Sequence, residues 1–229
     1  MTFALPEEAA PFRQSWRATA IPSRVEILVG GMGTAQTTRR VLRHIQATRP
    51  ALTLTCGFAG GLHPSLRPGD VLFHADPNES AAPRLQQCGA RPARFHHVES
   101  IVATAQAKAH LHAQTGADAI DMESKLIRDE CARLGLRSLT LRVVSDTAGE
   151  DLPVDFNRWT RPDQTLNPWA IARDLLARPA LVPELIRLRR KLNHCAHRLS
   201  NTLLEFLAGE SSPPSRQGEN ENTATCSPE

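Results

Sequence analysis

Glu8, Asp121, Glu123 and the adjacent pair Ser145-Asp146 each stand where an apolar run gives out, and they are the side chains best placed to move a proton or hold a diol. The stretch Ile120-Asp121-Met122-Glu123-Ser124 brings two carboxylates to the end of a short apolar run at 117–120. Open α/β sheets bind ligands in the crevice outside such strand ends. With one residue between them, the two acids point to opposite sides while the chain is extended, so only one faces a given ligand. Glu123 is the choice, because it lies at the strand-to-helix junction, where a planar carboxylate can accept two hydrogen bonds from a vicinal diol. The alternative is that both acids only stabilise the N-terminus of the following helix. Glu8 carries the same ambiguity. Pro6 followed by Glu7 and Glu8 is a helix start, where an acid contributes about 0.3–1 kcal/mol against the dipole. Alternatively, Glu8 leaves a strand end and enters the same crevice as Glu123.

The elements that would position these residues follow from pattern. Strands are expected at 2–5, 25–29, 51–55, 71–74 and 138–144, and helices from 6, over 34–47, 104–114, 125–134 and 168–176, and from 182 to 207. Their alternation calls for an α/β fold with a mixed, mostly parallel central sheet flanked by helices. Gly30-Gly31-Met32-Gly33-Thr34 lets backbone N–H groups approach an anion or a sugar oxygen at a helix start, but it lacks the spacing of a dinucleotide fingerprint and the Lys-Ser/Thr of a P-loop. The segment 56–62 reads as a second glycine-rich turn, 76–96 as a loop, and 151–167 as a loop carrying Trp159. Leu185, Leu188, Leu192, Leu199, Leu203 and Phe206 form a stripe for core packing. Residues 1–208 then make one domain, and 209–229, poor in apolar residues, read as a disordered tail.

Composition narrows the function. The 229 residues are 41% hydrophobic, enough to fill a core. Net charge is only +3, with basic residues scattered, and aromatics are 4% with no Tyr, so neither a nucleic-acid stripe nor a base-stacking platform is present. Five cysteines without metal-like spacing suggest neither a disulfide framework nor a zinc site, and no metal or other cofactor is expected. His194 and His197 have no acid at ligand spacing and read as incidental. No stretch is long enough to span a membrane, no signal peptide is evident, and a reducing cytoplasm is the simplest home.

Five motifs in succession, Phe3-Ala4-Leu5-Pro6-Glu7-Glu8, Gly31-Met32-Gly33, Gly57-Phe58-Ala59-Gly60-Gly61-Leu62 with Gly69-Asp70, Asp121-Met122-Glu123-Ser124, and Arg142-Val143-Val144-Ser145-Asp146, cover roughly residues 2–150. In this order they resemble the nucleoside phosphorylase and nucleosidase superfamily, in particular methylthioadenosine/S-adenosylhomocysteine nucleosidases. The resemblance implies a three-layer fold and a purine nucleoside substrate. Glu123 would bind the ribose hydroxyls with Met122 packed beside the sugar, and Gly33 would lie in a backbone turn facing the substrate. Asp146 would protonate N7 of the base, oriented by Ser145, and burial should raise its pKa. Glu8 would activate the attacking water.

Three departures bear on the substrate. The segment between Gly69-Asp70 and Asp121 is shorter than in the nucleosidases, which looks more like the hopanoid-associated phosphorylases that are thought to remove adenine from an adenosyl-lipid. Phe58 stands where a small hydroxyl residue usually contacts base or phosphate. Val102 and Ala103 are the nearest matches to the ring that stacks on adenine. A phosphorylase should also carry an arginine just before Gly57, where this chain has Thr55 and Cys56, so water is favoured as nucleophile over phosphate. The resemblance further implies a homodimer in which a neighbour closes the pocket; Phe73, Phe95 and Trp159 are candidates for that cover, or else fill their own core. A non-catalytic nucleoside-binding protein of the same fold is the competing function.

Overall fold

The structure, a computed structural model, describes residues 1–19, 24–31, 35–77, 79–161 and 167–210, without the side chains of 35–38 and 210. Along it run β1 (Thr2–Phe3), α1 (Pro6–Ala18), β2 (Leu28–Val29), α2 (Ala35–Thr48), β3 (Thr53–Gly61), β4 (Val71–Ala75), α3 (Ala82–Gln87), β5 (Arg91–Pro92), β6 (Phe95–His97), α4 (Ala105–Thr115), β7 (Ala119–Asp121), α5 (Ser124–Arg133), β8 (Ser138–Asp146), α6 (Pro168–Ala177) and α7 (Leu181–Glu210). A 3-10 turn at Phe156–Trp159 links the last strand to α6.

The strand order is β2-β1-β3-β8-β4-β5, with β7 paired to both β3 and β6. β1, β2, β3 and β8 run parallel, while β4 is antiparallel to β8 and β7 antiparallel to the end of β3. The expected mixed, mostly parallel sheet flanked by helices is therefore present. On one face, Ala9 and Phe12 of α1 and Leu199, Leu203 and Phe206 of α7 close over Leu54, Leu139, Leu141 and Val143. On the other, Val41 and Ile45 of α2 pack against Ile127 and Cys131 of α5. Leu185 lies instead in a smaller cluster with Trp159 and α6.

Several boundaries differ from the sequence reading. The glycine-rich stretch 56–62 is no turn: all but Leu62 belongs to β3, a nine-residue strand in register with β8 from Thr53↔Ser138 to Ala59↔Val144. Its glycines answer to close approach rather than to a bend. A Cβ on Gly61 would stand 3.0 Å from the Asp146 carbonyl oxygen, and one on Gly60 3.0 Å from Ile120 Cγ1. Residues 76–96, read as loop, hold α3, β5 and the start of β6; these short strands are ordered by pairing with β4 and β7 and leave no period in the sequence. Strands at 2–5 and 25–29 shrink to two residues each. α7 extends through Gly209 to Glu210, while 211–229, Met32 and Gly33 lie outside the described residues.

Candidate active site

β8 is buried along its whole length, and the two-residue period of a strand sets Leu139, Leu141 and Val143 against the α1–α7 core and Arg142, Val144 and Asp146 on the other face. Arg142 is only 2% exposed. Its register partner across the sheet is Gly57, and the missing side chain leaves room for the guanidinium to lie over β3. A Cβ there would sit 2.5 Å from Arg142 Nη1 and 2.7 Å from Glu8 Oε1, at a backbone φ of +150° that glycine tolerates best.

Arg142 gathers the acids. Nη2 lies 2.8 Å from Asp121 Oδ2 and 3.4 Å from Glu123 Oε2, Nη1 donates to the Cys56 carbonyl at 3.2 Å, and Nη2 donates to Ser124 Oγ at 3.0 Å. Asp121 and Glu123 thus converge on one nitrogen instead of pointing to opposite sides. The backbone leaves the extended conformation at Glu123 (φ −124°, ψ −31°), which breaks the alternation the sequence reading relied on. Asp121 also accepts from the Ser124 backbone N–H at 3.0 Å and from its hydroxyl, so for Asp121 the helix-start role holds. Burial opposes the Arg142 charge, and Asp121, Glu123 and Glu8 together outweigh it, holding its pKa above the ordinary value.

Glu8, in the first turn of α1, fills the helix-start role considered for it. Oε2 accepts from the N–H groups of Ala4 and Leu5 at 3.0 and 2.9 Å, and Oε1 accepts from the Phe58 N–H at 2.8 Å, which ties the helix start to β3. Burial pushes this carboxyl above the usual carboxylate range, against the opposing pull of Arg142 and the three N–H donors. Cys56 beside it is no nucleophile: burial carries its thiol up to about 12.

At the far end of β8, Ser145 Oγ lies 2.5 Å from Asp146 Oδ1 and 3.2 Å from the Ala59 carbonyl. The sequence reading missed the other partner of Asp146: Lys108 Nζ on α4 is 2.6 Å from Oδ2, and Lys108 is fully buried. An ammonium thus faces the carboxylate from the α4 side. Val102 packs beside Leu62, Ala117 and Ile120, and the Ala103 carbonyl accepts from Leu152 N–H, which ties Ala103 to the loop that follows Asp146. Met122 is half-buried next to Glu123. The Phe58 ring packs toward the α1–α7 core, and its N–H is spent on Glu8.

A cavity of about 20 Å³ is lined by Ala4, Gly30, Gly31, Cys56, Glu123 and Arg142, room for about one water. A larger hollow of about 770 Å³ opens between Arg13, Glu26, Arg40 and His44 at the β2 edge and contains none of the acids above; its lining flanks segments 20–23 and 32–38 in sequence. Among the described residues no group of three or more His, Cys, Asp or Glu could hold a metal ion.

Residues 73–177 match the family model of the phosphorylase superfamily. The 5′-methylthioadenosine/S-adenosylhomocysteine nucleosidase of Geobacillus kaustophilus is 29% identical over 165 residues, covering 57% of this chain and 69% of that one. Among solved structures, the Campylobacter jejuni enzyme of that name superposes with a TM-score of 0.64 at 16% identity over 91% of this chain and 97% of that one. Futalosine hydrolase of Helicobacter pylori matches with a TM-score of 0.64 at 15% identity, over 91% and 96%.

Proposed function

We propose that this chain is a nucleosidase that cleaves the N-glycosidic bond of a purine nucleoside, with adenine nucleosides modified at the ribose 5′ position as the substrate class. The observation that carries the reading is a pair of buried acids, each held by its own partners: Glu8 of α1 beside Arg142, and Asp146 at the end of β8 held by Ser145 and Lys108. Breaking the bond builds positive charge on the ribose and negative charge on the departing base. Asp146 supplies the proton to N7, and positioned transfer of this kind typically contributes about 10²- to 10⁴-fold. Glu8, whose carboxyl burial holds above the usual carboxylate range, takes the proton from the attacking water while Arg142 orients it. Glu123, angled by Arg142 at the mouth of the small cavity, holds the ribose hydroxyls with Met122 beside the sugar, and Val102 and Ala103 border the base.

Water is the nucleophile in this reading. The cavity beside Arg142 and Glu123 accommodates about one water, and Arg142 already has three acids to neutralise, which leaves it poorly suited to a phosphate dianion. The assay is release of free base from methylthioadenosine, S-adenosylhomocysteine, adenosine and inosine, with and without phosphate. Base release only with phosphate would make the chain a phosphorylase, and tight binding without release a nucleoside-binding protein.

The protein is expected to act as a homodimer in a reducing compartment. Phe73 and Trp159 do not serve as an inter-subunit cover, since Phe73 is core and Trp159 is buried with its Nε1 donating to Asp174 at 2.9 Å; Phe95 packs in its own subunit against Ala119 and Val144. Support for assembly comes instead from Trp169 and Leu176, 82% and 85% exposed on one face of α6. The four described cysteines are free. Sedimentation of a W169S/L176S variant as monomer, against a wild-type dimer, is the expected result.

A further inference from the structure

Lys108 is a cation with no exposed surface, in a helix whose other described residues are not comparably sealed. Burying an ammonium is costly unless every hydrogen finds an acceptor. Lys108 Nζ has three: Asp146 Oδ2 at 2.6 Å, the Thr147 carbonyl at 2.9 Å and the Glu150 carbonyl at 2.7 Å. A neutral amine has only two hydrogens and would leave one acceptor empty, so the geometry fits the charged form, with Asp146 as its anion. That arrangement conflicts with an acid that waits fully protonated for its substrate.

We infer that Lys108 is the proton reserve behind Asp146: the pair stores one proton, and Asp146 relays it to the base. This rests on the nucleosidase reading above. The proton leaves Nζ for Asp146 and passes to N7 as the C1′–N9 bond breaks, its electron pair going to the purine. The water oxygen bonds to C1′ and its proton goes to Glu8. Lys108, reduced to two hydrogens, keeps the Thr147 and Glu150 carbonyls and regains its third from solvent after release, as Glu8 loses one. Ser145 suits either state of Asp146: it donates to Oδ1 when the carboxylate is ionised, and turns to the Ala59 carbonyl when Oδ1 carries the proton.

The other ionisable groups facing this pair are accounted for. Glu150 accepts an ion pair from Lys191 of α7, Cys195 of α7 donates to the Val144 carbonyl, and Asp151 accepts from the Ala105 N–H at the start of α4. Thr104 caps that helix through the Ala107 N–H and so helps fix Lys108.

The test is the pH profile of kcat/KM for methylthioadenosine, together with kcat and KM, in the wild type and in Lys108→Met and Lys108→Arg, each checked for a cooperative melt. With the reserve gone, Lys108→Met turns over only while Asp146 itself holds a proton. The alkaline limb is then expected to move acidward by about two pH units or more, with kcat at neutral pH down at least tenfold and KM within about threefold. Arginine keeps the charge but gives up no proton in this range, so Lys108→Arg is expected to melt like wild type and still lose at least tenfold in kcat. Equal losses at every pH in Lys108→Met, an alkaline shift of the limb, or an active Lys108→Arg would each overturn the inference. A wild type that releases no base at any pH would overturn the nucleosidase reading and the relay with it, whereas a turning-over wild type with unmoved limbs would overturn the relay alone.

Discussion

The Arg142 guanidinium sits 2.8 Å from the Asp121 carboxylate, and both side chains are sealed from solvent. Removing one member of a buried pair costs more than the pair contributes, because the other charge is left uncompensated, typically by about 3–5 kcal/mol. Arg142→Met leaves Asp121, Glu123 and Glu8 facing one another and is expected to lose stability in that range, read from urea denaturation at neutral pH. A loss under about 1 kcal/mol would show that these acids are already neutral or solvated.

Gly57 is the hinge of the site's packing. Gly57→Ala places a methyl against both Arg142 Nη1 and Glu8 Oε1, at a φ that side chains rarely adopt, so it is expected to lower the melting temperature by several degrees and cut turnover at least tenfold. Wild-type activity in this variant would mean that Glu8 and Arg142 do not act from these positions.

Glu8 carries a stability effect whose sign is fixed. Its folded-state pKa lies above the unfolded value, so its contribution is fully present below the ordinary carboxylate range and is lost as pH rises through the elevated value. Glu8→Gln does not titrate. The melting-temperature difference between the variant and wild type is therefore expected to move in the variant's favour as pH is raised from 4 to 8, while turnover is lost throughout. A difference that stays flat across that interval contradicts the raised pKa.

Much of this was legible in the chain. Pro6 followed by two acids marked α1, the apolar run ending in Ser145-Asp146 marked β8, and the alternation of elements called for the layered sheet. Glycine misled in both senses: between Cys56 and Leu62 it serves strands in close contact, which a pattern of turn residues cannot distinguish from a bend. The site was half visible. Arg142 is the lone charge in the stretch Leu139 to Val144, whose other residues are apolar save Thr140, and that marks a buried cation in need of acids. Lys108 left no comparable trace, because the Ala-rich α4 has no distinct apolar face and a lysine there reads as solvated. Its burial is set by the loop after Asp146, whose two carbonyls reach back across about 40 residues of sequence.

The central claim is that Asp146 delivers the proton that frees the base, with water as the acceptor of the sugar. The most direct measurement is free base released from methylthioadenosine in phosphate-free buffer by wild type and Asp146→Asn, with nucleoside affinity measured alongside. Wild type is expected to release base and free sugar without phosphate, and Asp146→Asn to bind nucleoside within about tenfold of wild type while turning over at least a hundredfold more slowly, since an amide cannot supply the proton. Retention of more than about a tenth of the wild-type rate in Asp146→Asn, or an absolute requirement for phosphate with sugar phosphate as product, would contradict it.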